Sequence, residues 1–192
     1  MPRSPEQFEK IRIEKKEKIL DAALHVFAEN GFHNSSISKV SKAAGVSKGL
    51  MYNYFESKEE LLQTLISSLL DDEMDTIRQV LTKPNTEDTF VEFMNLNTKV
   101  LKAKPKEWGL YFSMANQPEV MKIIQAKFSD DHQRFGKFIL DFFKGKGVED
   151  PDMTYTHWMT VFTGMKISYI FNPESYPIDK MEELIIKQFI RS

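Results

Sequence analysis

An all-α chain of about nine helices is the fold this sequence predicts, on three observations. Apolar residues recur three and four apart along most of the chain, no segment alternates apolar and polar residues with period two, and no Asn-Gly hairpin turn occurs. Glycine, proline and short hydroxyl side chains fall between the periodic runs, where helices start and stop. The 192 residues fit one domain, or a small domain joined to a larger one. With 41% hydrophobic and 28% charged residues there is enough apolar material for a packed core.

The elements follow in order. Ile19, Ala23, Val26 and Phe27 share one face of a first helix over about residues 9 to 30, which Gly31 stops and onto which Phe32 folds back. Ser36 caps a two-turn second helix with Ile37, Val40 and Ala44 inward. Gly45 makes a tight turn, Val46 plugs it, and Ser47 caps a third helix that turns Met51 and Phe55 inward. Ser57-Lys58-Glu59-Glu60 reads as a capping box that opens a long helix to about Leu81. Phe90, Met94, Asn97 and Leu101 mark a fifth helix, closed before Pro105, and Trp108, Phe112 and Ala115 a short sixth. Pro118 opens a long helix through Ile124, Phe128, Phe135, Phe138 and Phe142, stopped by Gly145-Lys146-Gly147. Asp150-Pro151 starts another through Trp158, Phe162 and Met165 to about Phe171, and Ile178, Met181, Ile185 and Phe189 mark the last.

Charge is unevenly divided. The net −2 comprises ten Lys and Arg against seven Asp and Glu up to residue 58, and sixteen against twenty-one beyond it. No acidic residue stands between Glu29 and Glu56, where Lys39, Lys42 and Lys48 fall, so a neutral-to-basic head precedes an acidic body. The absence of cysteine excludes disulfides, thiolate catalysis and Cys-held metal. Charged residues from Arg3 to Lys18 leave no room for a secretory signal, and no uncharged run approaches the roughly 20 residues that span a bilayer. The expectation is a cytoplasmic protein with no membrane partner. There is no dinucleotide fingerprint, P-loop or His-Glu-x-x-His, and His25, His33, His132 and His157 show no metal-ligand spacing. No enzyme, cofactor or metal is expected.

Two short helices around a glycine-centred turn, with Ala43 and Ala44 small enough for close crossing, make a helix-turn-helix. The outward face of its second helix bears Lys48, Gly49, Tyr52 and Asn53, which offer charge, close backbone approach, hydroxyl and amide to DNA. The unit could also be purely structural, and Tyr52 and Tyr54 could be half-buried core residues.

Four blocks carry a resemblance: Ile19 to Ala23, Phe27 to Phe32, Ala43 to Gly49 and Tyr52 to Leu62. In this order and spacing, over roughly residues 10 to 62, they resemble the TetR family of bacterial transcriptional regulators. The resemblance implies a homodimeric, all-helical repressor with an N-terminal helix-turn-helix domain, residues 9 to 60, and a C-terminal domain, residues 61 to 192, that binds a small molecule and dimerises. Carried over by position, DNA contacts fall on Ser36, Ser38, Ser47, Lys48, Gly49, Leu50, Tyr52, Asn53, Tyr54 and Lys58. Leu50 stands where threonine or serine is frequent, which favours contact with a thymine methyl. Asn53 stands where histidine or tyrosine is frequent, and Ser38 where arginine is.

Of the 23 aromatic residues, 15 lie between residues 90 and 171. They are either ordinary helical core or, with the methionines, the wall of a pocket for a flat or greasy effector. The pocket candidates are Phe90, Met94, Asn97, Trp108, Phe112, Phe128, Trp158 and Phe162, with Asn97 the first choice for a polar contact and Gln125, His132, His157 and Thr163 behind it. Gly164, Ile170, Ile178, Ile185 and Phe189 are candidates for a dimer interface, the alternative being core packing within one subunit. Together these point to a ligand-responsive DNA-binding regulator, most simply a homodimeric repressor released from a palindromic operator by a small, largely apolar or aromatic effector. The alternative is a hydrophobic-ligand or interaction protein that keeps a vestigial helix-turn-helix.

Overall fold

A computed structural model describes residues 4–191, so Arg3 and Ser192 lie outside it. Nine α-helices and no strand are found among the described residues. They are α1 Pro5–Asn30, α2 Ile37–Ala44, α3 Lys48–Tyr52, α4 Lys58–Leu81, α5 Glu87–Ala103, α6 Pro105–Met114, α7 Pro118–Gly145, α8 Pro151–Phe171 and α9 Ile178–Phe189. No described helix is long and apolar enough to cross a membrane.

Local chemistry sets the boundaries. Helix α1 begins four residues earlier than its apolar stripe suggests, because Ser4 and Gln7 form a reciprocal capping box around Pro5. Its end is as expected: Gly31 has φ +75° and sends its N–H to the Phe27 carbonyl, and Phe32 returns to meet the Phe27 ring edge-on at 5.4 Å. The Ser36 hydroxyl accepts from Lys39 N–H at the start of α2, and Gly45 closes it in the left-handed conformation, φ +64° and ψ +36°. Ser47 caps α3 by accepting from Leu50 N–H, and Ser57 does the same for Glu60 N–H at α4. The Glu60 carboxylate reaches back one residue further than the expected box, to Glu56 N–H.

The helices form two compact units. One holds the chain up to Leu69 together with Leu110–Ile124; the other holds Leu70–Gly109 and the chain from Gln125 onward. Helices α4, α6 and α7 each give residues to both. In the first unit Ile19, Ala23, Phe27, Val40, Met51 and Phe55 are buried around the helix-turn-helix, as are Met114 and Val120 from the later segment. In the second, aromatic rings make the core: Phe90 lies 4.8 Å from Phe142 and 5.1 Å from Trp158, and Phe93 lies 4.5 Å from Phe135.

Candidate nucleic-acid interface

The helix-turn-helix buries one face and opens the other. Ile37, Val40, Ala44, Met51 and Phe55 point into the core, while Ser36, Ser38, Ser47, Lys48, Gly49, Tyr52 and Asn53 are exposed. Leu50 and Tyr54 are half-buried, Tyr54 lying against Phe55 at 6.4 Å. Tyr52 keeps 50% of its surface exposed, unusual for a large ring in a packed domain, and this sets it apart from a core tyrosine. A Cβ at Gly49 would meet nothing within 4 Å, so the backbone there is open to close approach.

Helix α3 is shorter than expected. It ends at Tyr52, after which the N–H groups of Asn53 and Tyr54 turn to the carbonyls three residues back, Leu50 and Met51. Asn53 and Tyr54 therefore sit on a turn. Lys39 and Lys42 of α2, which fall in the acid-free stretch, are also exposed and extend that face.

Lys58 is placed differently from its exposed neighbours. Its ammonium donates to the Phe32 carbonyl at 2.8 Å and the Ser35 carbonyl at 3.1 Å, and lies 4.1 Å from the centre of the Phe32 ring. It ties the start of α4 to the loop between α1 and α2. The same loop is held from a distant part of the chain: Phe32 N–H donates to Gln117 Oε1 at 2.8 Å, and His33 Nε2 lies 2.7 Å from Glu119 Oε1. The other oxygen of Glu119 is buried without a hydrogen-bond partner among the described residues. Nothing local in the sequence marks Gln117 and Glu119 for this role.

Of the expected pocket residues, ring contacts join Phe90, Trp158 and Phe162 in the second unit, to which Met94, Asn97, Trp108 and Phe128 also belong, whereas Phe112 belongs to the first unit. Phe90, Met94, Asn97, Trp108, Phe128, Trp158 and Phe162 are all buried, and Phe112 is half-buried. Asn97 Nδ2 donates to Glu73 Oε1 at 3.2 Å, and Lys166 Nζ donates to the same oxygen at 3.0 Å. Burial alone would raise the Glu73 carboxyl; the Lys166 ammonium and these hydrogen bonds more than offset it and hold the group below the ordinary value of 4.5. Of the weaker candidates, Gln125, His132 and His157 are exposed, and Thr163 is half-buried. No spacing pattern marks Glu73 or Lys166, 93 positions apart, as partners.

Among the interface candidates, Ile178, Ile185 and Phe189 are buried within the chain itself, Ile170 is half-buried and Gly164 is exposed. A Cβ at Gly164 would meet nothing within 4 Å. Close helix approach occurs elsewhere, at Gly136, where a Cβ would come within 3.2 Å of the Tyr155 hydroxyl. A groove of about 610 Å³ runs along α8 and α9, lined by Val161, Met181, Leu184 and Ile185 with Lys187, Gln188 and Arg191.

Residues 19–65 match the family model for bacterial regulatory proteins of the tetR family. The chain is 52% identical over 48 residues to the fatty acid metabolism regulator protein of Bacillus subtilis, and 45% identical over 49 residues to the HTH-type transcriptional regulator UidR of Escherichia coli. These matches span about a quarter of this chain and a quarter of each relative's length, 25% in both relatives. A solved structure of the transcriptional regulator FadR from Bacillus subtilis, in complex with stearoyl-CoA, shares the fold with a TM-score of 0.65 and 18% identity, covering 91% of this chain and 97% of that one. Sequence likeness is concentrated in the helix-turn-helix head, whereas the likeness in fold extends over the whole chain.

Proposed function

We propose that this chain, whose residues 19–65 match the tetR family of bacterial regulatory proteins, is a ligand-responsive transcriptional regulator that binds a palindromic operator as a homodimer and acts as a repressor. The observation that carries the reading is the open face of the helix-turn-helix: Ser36, Ser38, Ser47, Lys48, Tyr52 and Asn53 exposed together over a stretch without acidic residues. Lys48 and the hydroxyl and amide donors contact phosphates and base edges, with Gly49 allowing backbone approach and Leu50 meeting a thymine methyl. Lys58 serves the interface by fixing the first turn of α4 against the loop before α2, with its remaining proton directed at phosphate. Tyr54 contributes from the turn that follows α3.

Residues 9–60 then form the reader, and residues 61–192 the effector-binding and dimerising part. The aromatic cluster around Phe90, Trp158 and Phe162 supports a small, largely apolar effector. A fold relative that binds stearoyl-CoA is in keeping with this. The groove on α8 and α9, with Leu184 57% exposed beside it and Gly164 open, supports a second copy as its occupant. In the dimer the two α3 helices enter successive major grooves about 34 to 36 Å apart, or a multiple of that. Effector binding releases DNA to the extent that it favours a conformation in which α4, which gives residues to both units, carries the readers off that spacing.

Selection of binding sites from random duplexes by the whole protein, followed by displacement with a panel of small apolar molecules, tests this. A palindromic consensus released by an apolar molecule is the expected result. Duplex binding without sequence preference would leave the ligand-binding protein with a vestigial helix-turn-helix as the better reading.

A further inference from the structure

Helix α8 presents Trp158, Phe162 and Lys166 along one stripe, four residues apart. Trp158 is fully buried and stacked on Phe162, ring centres 5.2 Å apart and planes 12° from parallel. Its indole Nε1 is shut off from solvent and has no hydrogen-bond acceptor among the described residues. Such a donor bears the cost of losing water with nothing in return, and in native proteins it calls for an explanation. At the other end of the stripe Lys166 Nζ lies 5.1 Å from the centre of the Phe162 ring. It gives its hydrogen bond to Glu73, a residue of α4, which Asn97 of α5 also holds. The Lys166 and Glu73 side chains each keep a sixth or so of their surface open, 16% and 17%, so the pair can be reached from solvent.

We propose that this stripe recognises an apolar acid that carries a second oxygen along its chain. The ligand's carboxylate takes the Lys166 ammonium from Glu73, its apolar chain lies against the Phe162 and Trp158 rings, and the second oxygen accepts from the Trp158 indole N–H. A buried N–H without an acceptor and a lysine call for oxygens in the ligand, and replacing Glu73 on the ammonium is the exchange that Glu73→Gln tests. Glu73 belongs to α4, so the carboxylate that occupies the site also removes that helix's ion pair to α8. This rests on the effector-binding reading above and gives its ligand a chemical class.

The test uses the whole 15N-labelled protein, with its two indole N–H resonances assigned through Trp158→Phe, and three probes that differ only in the head group: 10-hydroxydecanoate, decane-1,10-diol and 10-aminodecan-1-ol. The acid is expected to bind at least tenfold tighter than the diol, with the amine weakest, and to move the Trp158 indole resonance downfield. Lys166→Met should lose at least tenfold for the acid and nothing for the diol, Lys166→Arg should keep the preference for the acid, and Glu73→Gln should tighten the acid several-fold by removing its competitor. Melting curves identify any variant that fails to fold, and the charge-keeping Arg and Gln variants then decide. Equal affinity for acid and diol, an unmoved indole resonance, or no tightening in Glu73→Gln overturns the proposal while leaving an apolar effector standing. If none of the probes binds the wild-type protein, the proposal and the effector reading for this cluster fall together.

Discussion

The two units of this protein spend their polar side chains in opposite ways. In the head, hydroxyls and glycines close helix ends at short range: Ser36 on Lys39 N–H, Ser47 on Leu50 N–H, Gly45 turning left-handed at the end of α2. Three short elements are thereby fixed with few buried charges, and one face is left free for an outside partner. In the body, charged and polar groups are drawn inward and satisfied at long range, Lys166 and Asn97 on Glu73, and Thr98 donating to Glu182 at 2.6 Å. Contacts of this kind hold several helices in one arrangement, and any ligand that competes for one of the partners changes that arrangement. On the proposed function, the surface that reads is built from local geometry and the interior that responds from distant pairs.

Breaking the body's core should have the largest effect. Phe90→Ala removes a fully buried ring that meets Phe142, Phe143 and Trp158, and should cost about 3–5 kcal/mol in chemical denaturation. Operator affinity per folded molecule should be unchanged if the two jobs are separable. Lys58→Ala tests the head in the same currency. It deletes two hydrogen bonds to carbonyls and a cation–π contact, and should cost about 2 kcal/mol of stability besides weakening DNA binding. A variant that binds DNA poorly yet melts as the wild type would make Lys58 a phosphate contact and nothing more.

Smaller effects sharpen the comparison. Tyr52→Phe should weaken operator binding by about 1 kcal/mol, and Lys48→Ala should lower the salt slope of binding by about one, each with an unchanged melting curve because both side chains face outward. The smallest effect concerns Glu182. Burial raises its carboxyl above the ordinary value of 4.5, against the hydrogen bond from Thr98, which lowers it. A raised carboxyl contributes stability that is fully present below pH 4.5 and is lost as the pH climbs through the folded value. Glu182→Gln keeps an acceptor for Thr98 and should slightly raise the melting temperature at pH 7. It should also flatten the pH dependence just above 4.5; an unchanged profile would mean that the carboxyl titrates as if exposed.

Legibility in the sequence follows the same division. Caps and turns in the head act over three or four residues, so Ser36, Gly45, Ser47 and Ser57 could be read directly, and all four mark helix ends in the structure. The start of α1 lies well ahead of its apolar stripe, which begins only near Ile19, although Ser4-Pro5-Glu6-Gln7 spells a capping box. In the body, the aromatic residues could be assigned to the core as a group but not to partners. Glu73 and Lys166 are 93 positions apart and Thr98 and Glu182 are 84, and no periodicity reports a pair so distant. Helix α9 shows the limit in another way. Its stripe of Ile178, Ile185 and Phe189 is apolar whether it faces its own chain or a second copy, and the structure buries it in its own chain.

The hold of Gln117 on Phe32 N–H, and the 2.7 Å contact of Glu119 with His33, bear on how such a protein could be rebuilt. A reader transplanted onto another effector-binding part would have to carry two pieces of chain, the first 69 residues and the fifteen from Leu110 to Ile124. Grafted without the second piece, it would arrive with Phe32 N–H stripped of its acceptor, in the loop that leads directly to the first residues proposed to touch DNA.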